Sequence, residues 1–474
     1  MGFSNRLSYI NALILQFILL TSVGYSQGQN SNWYFGTNAG ITFNSGVPVA
    51  LTNGALTTTE GVATISDNSG NLLFYTNGIT VWNRNHLIMT NGTGLLGDFS
   101  STQSAIIVQK PLSNNIYYIF TSDNDAGPDG IRWSEVNMTL SGGLGAITTN
   151  KNIALLSPGQ LSCEKLCAVR HCNNQDIWII SKDWNSNVFR CWAIGDVLVG
   201  TSPWYIQSWS GVGVVPSGAT QGAYGQLKAS PDGRKLAACY YGLAGGINKI
   251  EIYDFDPATG WASNAQTLST EAGIYGCEFS PNGKVLYGGC NQGLLLQWNL
   301  CAGTLAQIQA SRTVISNAGP FIGSLQIGPD SKIYVARGTT SLSVINSPNT
   351  VGLGCSYSDL SIPLAGRNSR MGLPNFASYY NQQTITIPPP ITLSCNSFQF
   401  NTPVLPQGCT VTNYTVLWNF GDGTTSNLVN PIHNYVSPGG YTVTLTVNNG
   451  CTTSQATVSI VTNSAISISP IIHN

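Results

Sequence analysis

Short apolar strands separated by tight turns recur along most of the chain. Six copies combine a turn rich in Asn, Asp, Pro or Gly with a run of alternating bulky residues. The copies are DNSGNLLFYTN (67–77), PLSNNIYYIFTSD (111–123), HCNNQDIWIISKD (171–183), SPDGRKLAACYYG (230–242), SPNGKVLYGGCNQ (280–292) and GPDSKIYVARGTT (328–340). Alternation with a period of two residues after such turns predicts a hairpin that enters a β-strand.

Each copy has one apolar strand before it and another after it. The preceding strands are GVATISD, SAIIVQK, KLCAVRH, YGQLKAS, YGCEFSP and IGSLQIG, and the following strands are ITVWNRN, IRWSEVN, VFRCWAI, KIEIYDF, LLLQWNL and LSVINSP. Successive copies begin roughly 45 to 60 residues apart, at or slightly above the ~40–50 residues of a four-stranded propeller blade. The pattern therefore predicts an all-β fold dominated by a β-propeller of the WD-repeat or YVTN-like kind.

Six blades account for residues 60–363 and leave one segment at each end. The strands NWYFGTNAGITF (32–43) precede the repeats, and MGLPNFASYY (371–380) follows them. Uniting both segments in one shared blade would remove two exposed sheet edges and close the ring. We therefore predict seven blades, and six blades with decorated ends are the alternative.

The composition changes after residue 383. Three prolines in 384–390 predict a stiff linker, because proline cannot donate to a β-ladder. The stretch VLWNFGDGTTSNLVNPIHNYVSPGGYTVTLTVNNG (416–450) closely resembles the polycystic-kidney-disease (PKD) repeat. The residues that match its pattern are Trp418, Phe420, Gly421, Asp422, Gly423, Pro431, His433, Tyr435, Gly440 and Tyr441. The resemblance implies an immunoglobulin-like PKD β-sandwich over 391–462, followed by a tail at 463–474.

The N-terminus carries the pattern of a secretory signal peptide. Arg6 precedes an apolar run from Ile10 to Leu20, and the small residues Gly24 and Ser26 follow it. The run is shorter than the ~20 residues that a membrane span needs, so a signal peptide over 1–26 is favoured over an anchor. The propeller is then expected over 27–383 of an exported chain, with no transmembrane span in the mature chain.

Composition narrows the class of partner. Charged residues make up only 8% of the chain, the net charge is −1, and the basic residues form no cluster. These features exclude a strong electrostatic footprint for nucleic acid. Twelve cysteines in an exported chain favour disulfides of undetermined connectivity. Zinc at Cys163, Cys167, Cys172 and His171 is disfavoured because their spacing crosses a strand with alternating faces.

The propeller segment also resembles exported surface proteins of gliding, type IX-secreting bacteria. The phrases that carry the resemblance are NWYFG, TEGVATISDNSGNLLFYTNGITVWNRNH, GTGLLGD, STQSAIIVQKP, IYYIFT, GGLGAIT, EKLCAVRH, LKASPDGRKLA, EFSPNGKVLY, LQIGPDSKIYVA and SRMGLPNF. The resemblance implies surface display or secretion and a role in attachment, whereas the biochemical activity of that family is largely undefined.

Candidate chemistry gathers at the predicted mouth of the central channel. Glu60, Gln103 and Glu164 precede the first strands of three consecutive blades, so their side chains are expected to face one funnel. Further candidates are Arg84, Arg132 and Arg170. Two carboxylates with guanidinium groups would suit general acid/base chemistry on a sugar or uronate. Structural hydrogen bonding within the channel is the favoured alternative.

Other catalytic patterns are missing from the sequence. It contains no GxSxG nucleophile elbow and no HExxH zinc motif, which disfavours nucleophilic and metallohydrolase activity. Asp123, Asp125 and Asp129 in DNDAGPDG offer oxygen ligands to calcium, but their spacing departs from that of an EF-hand loop and the distal Glu is missing. A plain acidic loop is favoured there, and no other cofactor is predicted.

These observations favour an extracellular surface or secreted binding and adhesion protein. Its propeller face, rich in Trp, Tyr and Asn, and its PKD module would engage glycan or protein. The alternative is a secreted carbohydrate-active hydrolase or lyase that uses the channel mouth, with the PKD module as a spacer near the substrate.

Overall fold

The computed structural model describes residues 28–199, 202–218, 220–242, 247–317, 319, 321–381, 385, 387–403, 414–448 and 453–463. The signal peptide predicted over 1–26 lies outside these residues. The described chain is almost entirely β-structure. Its helical elements are the α-helix Leu305–Ala310 and the short 3-10 helices Gly28–Asn30, Ser141–Gly143, Thr220–Ala223, Gly352–Cys355 and Ser378–Asn381. Within the described residues, no helix is long and apolar enough to span a membrane.

Seven small antiparallel sheets follow one another between residues 32 and 363. The first sheet contains β1 (Asn32–Phe35), β2 (Ala39–Thr42) and β3 (Val49–Leu51), and the second contains β4 (Ala63–Ser66), β5 (Leu72–Thr76) and β6 (Val81–Asn83). The third contains β7 (Ala105–Gln109), β8 (Ile116–Ser122), β9 (Ile131–Asn137) and β10 (Ala146–Ile147), with β11 (Ile153–Ala154) also paired to β9. The fourth and fifth contain β12 (Ser162–Arg170), β13 (Ile177–Asp183), β14 (Val188–Val199) and β15 (Ser202–Gly211); and β16 (Leu227–Ala229), β17 (Lys235–Tyr240), β18 (Lys249–Asp256) and β19 (Trp261–Ser269). The last two contain β20 (Ile274–Phe279), β21 (Val285–Cys290), β22 (Leu294–Asn299) and β23 (Thr313–Asn317); and β24 (Leu325–Ile327), β25 (Ile333–Val335), β26 (Ser341–Ile345) and β27 (Tyr357–Pro363). Each sheet is a blade, and the predicted all-β propeller fold is confirmed.

The turns between the first and second strands of the blades explain why the repeats were visible in the sequence. In the fifth blade, Asp232 Oδ1 accepts a hydrogen bond from Arg234 N at 3.1 Å. In the sixth, Asn282 Oδ1 accepts one from Lys284 N at 3.1 Å. The glycine that follows each acceptor has a positive φ, which a residue without a Cβ adopts freely. The SPDG and SPNG sequences are therefore equivalent side-chain-stabilised turns.

The ring closes where the first blade meets the seventh. The Trp33 ring lies 5.5 Å from the Tyr334 ring and 5.8 Å from the Phe376 ring. Ser324 N donates to Met371 O at 2.8 Å, and Asn375 N donates to Val62 O at 2.8 Å. The segment after the last blade thus lies between the innermost residues of the seventh and second blades, which is the inner position of the first blade. It is joined there by isolated bridges, and β1 to β3 supply the regular strands.

Large aromatic side chains fill the blade interfaces. Trp33, Trp133, Trp178, Trp192 and Trp298 are all 0% exposed. Burial of a Trp or Tyr ring removes a large apolar area from water, so these rings contribute much of the hydrophobic stabilisation. Five of the eleven tryptophans in the sequence therefore serve packing in the propeller.

Two further sheets form the C-terminal β-structure. Their strands are β28 (Ile391–Ser394), β29 (Ser397–Gln399), β30 (Thr415–Asn419), β31 (Thr425–Ser426), β32 (Ile432–Asn434), β33 (Gly439–Asn448) and β34 (Thr453–Thr462). One sheet has the order β28-β29-β32 and the other β31-β30-β33-β34. Phe400, Trp418, Phe420, Val443 and Leu445 form the core between them. This arrangement is the sandwich that the PKD resemblance implied.

The described cysteines are mostly buried thiols. Eight are free: Cys163, Cys167, Cys191, Cys239, Cys277, Cys290 and Cys355 are buried, and Cys395 is exposed. For these eight the structure has thiols where the sequence favoured disulfides. Cys172 and Cys301 are not among them, and Cys409 and Cys451 lie outside the described residues. The disulfide prediction stays a prediction for those four.

Candidate binding site at the channel mouth

The inner strands β4, β7, β12, β16, β20 and β24 line the central channel, and we call the end at which they begin the mouth. Gln103, predicted as a mouth residue, lies below it and is 1% exposed. Its Oε1 accepts from Leu166 N at 3.2 Å and from Leu227 N at 2.7 Å, and its Nε2 donates to Leu227 O at 3.1 Å. Gln103 therefore ties the third blade to the fourth and fifth. Its hydrogen bonds support the structural alternative for this residue.

Two further amides continue this layer across the channel. Gln226 Oε1 accepts from Cys277 N at 3.1 Å and from Leu325 N at 3.0 Å. Asn375 Nδ2 donates to Leu166 O at 2.7 Å. Such bonds satisfy buried backbone groups at the inner strands, which would otherwise be costly to desolvate. The amides cross the channel and bind its inner strands together.

A charged layer lies further along the inner strands. Lys228 Nζ is 3.2 Å from Glu278 Oε2, and both side chains are 6% exposed. The same ammonium donates to Gln326 Oε1 at 2.5 Å. Burial raises the pKa of Glu278, while the attraction of Lys228 opposes that shift. Three inner strands are therefore joined by one buried ion pair and its amide partner.

Glu164 lies at the mouth and is 0% exposed. Its Oε2 accepts from Thr102 N at 2.7 Å and from Thr102 Oγ1 at 2.8 Å. Its Oε1 accepts from Asp125 N at 2.8 Å. Burial raises the pKa of Glu164 to about 7, although these hydrogen bonds act to lower it. Both carboxyl oxygens are thus occupied by the chain itself.

Glu60 reaches across the mouth from the second blade to the sixth. Tyr275 Oη donates to Glu60 Oε2 at 2.9 Å. Burial, together with the nearby Glu164 carboxyl, raises the pKa of Glu60 to about 8. Glu60 retains partial exposure, whereas Tyr275 is 2% exposed. The structure therefore brings Glu60 and Glu164 together, with Glu60 as the more accessible acid and mainly protonated at neutral pH.

Three tyrosines form an aromatic rim that the sequence analysis did not single out. The Tyr224 and Tyr241 rings stack at 6.1 Å, and the Tyr241 and Tyr275 rings meet edge to face at 6.4 Å. Tyr224 Oη donates to the Asp125 carboxylate, and Asn291 Nδ2 donates to Tyr241 Oη at 2.5 Å. Tyr224 and Tyr241 are half-buried. The available signal was the Tyr-Gly pair at the start of the strand sequences YGQLKAS and YGCEFSP.

Lys165 is buried beneath this rim with its charge fully engaged. Its Nζ donates to the carbonyls of Ala223 at 3.0 Å, Tyr224 at 2.7 Å and Gly225 at 3.0 Å. The same nitrogen lies 4.8 Å from the centroid of the Tyr240 ring. Burial lowers the pKa of Lys165. This lysine anchors the residues 223–225 that carry Tyr224.

The three predicted arginines do not join the two glutamates. Arg84 follows β6 and is exposed, next to Gly143 in the turn after β9. Arg170 ends β12, six residues and roughly 20 Å of strand beyond Glu164, and its guanidinium lies 4.4 Å from the Tyr379 ring. Arg132 is the second residue of β9 and forms an ion pair with Asp129 at 2.9 Å. Strand direction carries Arg84 and Arg170 to the far end of the blades, and Arg132 is held by its own loop.

The three aspartates of the predicted calcium loop have separate partners. Asp123 accepts from Asn124 N at 2.9 Å and from Asp129 N at 3.0 Å. Asp125 binds Tyr224, and Asp129 binds Arg132. Nowhere in the described ranges do three His, Cys, Asp or Glu side chains form a group that could hold a metal ion. The three aspartates of this loop are therefore held by hydrogen bonds and one ion pair.

The PKD-like sandwich contains its own packed His–Asp pair. His433 Nε2 lies 2.7 Å from Asp422 Oδ2, and the His433 ring stacks on Phe420 at 3.9 Å. Thr424 N donates to Asp422 Oδ1 at 3.0 Å. Although burial acts to raise it, hydrogen bonds from Thr424 and His433 lower the pKa of Asp422 to about 2. Asp422 and His433 thus hold the FGDG turn.

Comparisons with known proteins match two parts of the chain. Residues 393–463 match the family model of the PKD domain. No curated protein matches the chain. The PKD1 domain of the Vibrio cholerae metalloprotease PrtV is similar at 22% identity over 17% of this chain and 100% of that chain, with a TM-score of 0.15.

Propeller structures align with the rest of the chain. A putative 6-phosphogluconolactonase from Bacteroides fragilis is 10% identical, covers 72% of this chain and 96% of its own, and has a TM-score of 0.43. The Dos1 propeller is 10% identical over 78% of this chain and 86% of that chain, with a TM-score of 0.44. Likenesses this distant carry no information on activity. What the chain contains is a PKD-matching segment after an all-β propeller.

Proposed function

We propose that this protein is an extracellular binding protein, secreted or displayed at the cell surface, that engages a glycan or protein ligand at the propeller mouth. The observation that carries the proposal is the aromatic rim of Tyr224, Tyr241 and Tyr275, whose Tyr275 hydroxyl donates to Glu60. Tyrosine rings supply a large contact area and a polar tip, and they lose few torsional degrees of freedom on binding. Such a rim suits recognition of a ligand from outside the channel.

The state of the mouth carboxyl groups favours binding over catalysis. A general acid or base must be within hydrogen-bonding reach of the substrate proton that it transfers. Glu164 is completely buried and accepts three hydrogen bonds from Thr102 and Asp125. The amide layer of Gln103, Gln226 and Asn375 lies below it. These contacts support a structural role for Glu164.

The cellular part of the proposal comes from the sequence. The pattern over residues 1–26 supports export, and the PKD match supports an extracellular location. The resemblance to gliding-motility-associated proteins supports a role in adhesion. The domains proposed for the mature chain are the propeller over 27–383, a linker over 384–390 and the PKD module over 391–462. In an oxidising environment, Cys172 and Cys301 are the described candidates for disulfides.

A secreted carbohydrate-active hydrolase or lyase is the second candidate. The observation that favours it is the Glu60–Glu164 pair, in which each pKa lies above the ordinary glutamate value. Paired carboxyl groups of unequal environment are how glycosidases divide acid and base roles. In this candidate the partly exposed Glu60 would be the acid.

Binding and turnover measured side by side separate the two candidates. The full chain is tested on a glycan array and against extracellular proteins, and in parallel for degradation of the same polysaccharides. We expect binding without turnover, weakened at least about tenfold by Tyr241→Ala because a rim ring is lost. The matched control is Trp209→Ala on β15, an aromatic residue 59% exposed on another surface. Turnover that Glu60→Gln and Glu164→Gln abolish would establish the hydrolase instead.

A further inference from the structure

The titratable groups near Glu60 at the mouth are acidic. The titratable groups around Glu60 are Glu164 on β12, Asp125 on the β8–β9 loop and Tyr275 on β20. Three of these four groups are carboxyl groups, so the mouth becomes more negative as it deprotonates. A low-dielectric site that contains several acidic groups of one sign favours a ligand of the opposite sign.

The basic side chains beside the mouth hydrogen-bond to groups other than Glu60 and Asp125, although the positive charge of Lys165 also attracts Glu164. The Lys165 ammonium binds three backbone carbonyls, and the Arg132 guanidinium binds Asp129. Arg370, just before the segment that contacts Thr59, donates its Nε to Thr37 Oγ1 at 3.0 Å. These three cations therefore have partners other than Glu60 and Asp125, and the charge of those two carboxylates is left for a ligand to compensate.

The aromatic rim adds a second, independent preference. Cations are attracted to the faces of tyrosine rings, and a half-buried ring surface strengthens that attraction because less water competes. Tyr224, Tyr241 and Tyr275 meet in one stacked and one edge-to-face contact, Tyr275 donates to Glu60, and Tyr224 donates to Asp125. Rings and carboxyl groups in one place form the chemistry that recognises an ammonium or a guanidinium.

Unused hydrogen-bonding capacity lies in the same place. Ser101 is 0% exposed, and within the described residues its hydroxyl makes no hydrogen bond. Its backbone carbonyl accepts from Gly61 N at 2.9 Å, next to Glu60. A buried polar group without a partner calls for a ligand or water to satisfy it.

We propose that the mouth, in the binding role proposed above, takes a cationic side chain, the ammonium of a lysine or the guanidinium of an arginine exposed on a protein partner. The cation lies against the tyrosine rim and neutralises the carboxyl groups of Glu60 and Asp125. A neutral sugar would use the same rings but would leave that charge uncompensated.

The proposal predicts that ligand binding is coupled to the loss of a proton from Glu60. Glu60 has a pKa of about 8 in the free protein, so it is mainly protonated below that pH. A cation favours the ionised carboxylate, and its binding therefore releases a proton at neutral pH. Affinity for a cation then rises as pH increases from 6 to 9. A neutral sugar that accepts a hydrogen bond from protonated Glu60 has the opposite dependence and binds more weakly as pH rises.

Calorimetric titration of the full chain with two matched probes tests the proposal. The probes are N-acetyl-lysine methylamide and N-acetyl-norleucine methylamide, which differ in the ammonium group, at pH 6, 7, 8 and 9 and low salt. We expect the lysine probe to bind at least about tenfold more tightly than the norleucine probe, and to tighten with pH. Glu60→Gln should remove the pH dependence, whereas Asp196→Asn, an exposed carboxylate on β14, should leave it unchanged.

The outcomes separate this proposal from the one on which it rests. Equal affinity for both probes, or an affinity for the lysine probe that does not rise with pH in the wild-type chain, overturns the proposal that the ligand is a cation. A second result would be binding of a neutral oligosaccharide that is weakened both by Tyr241→Ala and by rising pH. It also overturns the proposal of a cationic ligand, but it supports the proposed binding function of the mouth. Ligands that bind without any effect of Tyr241→Ala overturn both proposals. The wild-type pH profile decides the matter even if Glu60→Gln fails to fold.

Discussion

The side-chain amide of Gln103 donates to the side-chain oxygen of Asn375 at 3.2 Å, across 272 positions of sequence. Gln103 lies just before the first strand of the third blade, and Asn375 belongs to the segment that completes the first blade. The bond therefore joins the closing segment to the channel wall. Asn375 reaches a further blade through Leu166 O. Ring closure in this protein depends on polar contacts inside the channel as well as on the aromatic packing around Trp33.

Replacing Gln103 by Leu should destabilise the propeller. The substitution leaves Leu166 N and Leu227 N without their side-chain acceptor in a buried position. Each unsatisfied donor costs about 1–3 kcal/mol, so for the two donors we expect a loss of about 2–6 kcal/mol in the free energy of unfolding. Urea unfolding measures it. Gln292→Leu, at an exposed position, is the control and should stay within about 0.5 kcal/mol of the wild type. Equal stability of both variants would contradict a structural role for the amide.

Stability should fall as pH rises through the neutral range. The folded-state pKa values of Glu60, about 8, and Glu164, about 7, lie above the unfolded value of about 4.5. The folded protein therefore binds more protons than the unfolded chain between these limits, and the free energy of unfolding decreases with pH across them. Melting temperature measured from pH 5 to 9 should show the decline. Glu60→Gln should make it shallower, and Asp196→Asn should not. If the melting temperature of Glu60→Gln falls with pH as steeply as that of the wild type, the Glu60 carboxyl does not have a raised pKa in the folded protein.

Calcium should have no effect on stability. The carboxylates of Asp123, Asp125 and Asp129 are engaged with the loop backbone, Tyr224 and Arg132 respectively. A ligand that binds only the folded state stabilises it by RT ln(1 + L/Kd), where L is the free ligand concentration. We expect the melting temperature to be the same with millimolar calcium as with a chelator. A rise of several degrees that Asp123→Asn removes would show that the loop rearranges around the ion.

Two glycines in the FGDG turn should respond differently to alanine. Both have positive φ, at +80° for Gly421 and +92° for Gly423. A Cβ at Gly421 would lie 2.5 Å from Thr442 O, whereas a Cβ at Gly423 meets nothing within 4 Å. Gly423→Ala should therefore cost about 1 kcal/mol of backbone strain, and Gly421→Ala clearly more. Unfolding followed by fluorescence compares them. Equal costs would mean that the close approach to Thr442 is absent.

Cys395 should be the reactive thiol among the eight described free cysteines. It is exposed, whereas the other seven are buried. Burial raises the pKa of Cys163 and of Cys290 to about 12, which suppresses the nucleophilic thiolate. Titration with a disulfide reagent should show one fast thiol fewer in Cys395→Ser than in the wild type. A fast phase of unchanged size in that variant would place the reactive thiol elsewhere.

The repeats and the PKD-like module could be predicted because their signals are local. The SPDG and SPNG turns carry their own hydrogen bonds, and the FGDG turn is held within a few residues by Asp422 and Thr424. Equivalent positions before the inner strands also predicted that Glu60 and Glu164 would come together, since each blade begins at the same end of the channel.

The contacts across the ring could not be predicted in the same way. Tyr275 binds Glu60 from 215 positions away, and its Tyr-Gly pair is indistinguishable from an ordinary strand start. Arg170 was a further candidate for the mouth, together with Arg84 and Arg132. An extended strand carries it to the other end of the blade, where it meets Tyr379. Strand direction and pairing across the channel decide these cases, and one sequence does not reveal them.

The central claim is that the mouth binds a ligand without transforming it. Its most direct test is release of reducing ends or of new amino termini from the polysaccharides or proteins that the wild-type chain binds, with Glu60→Gln assayed in parallel. The account predicts no release above background by either protein under conditions where the wild type is bound. Release by the wild-type chain that Glu60→Gln abolishes would contradict it and make the Glu60–Glu164 pair a catalytic one.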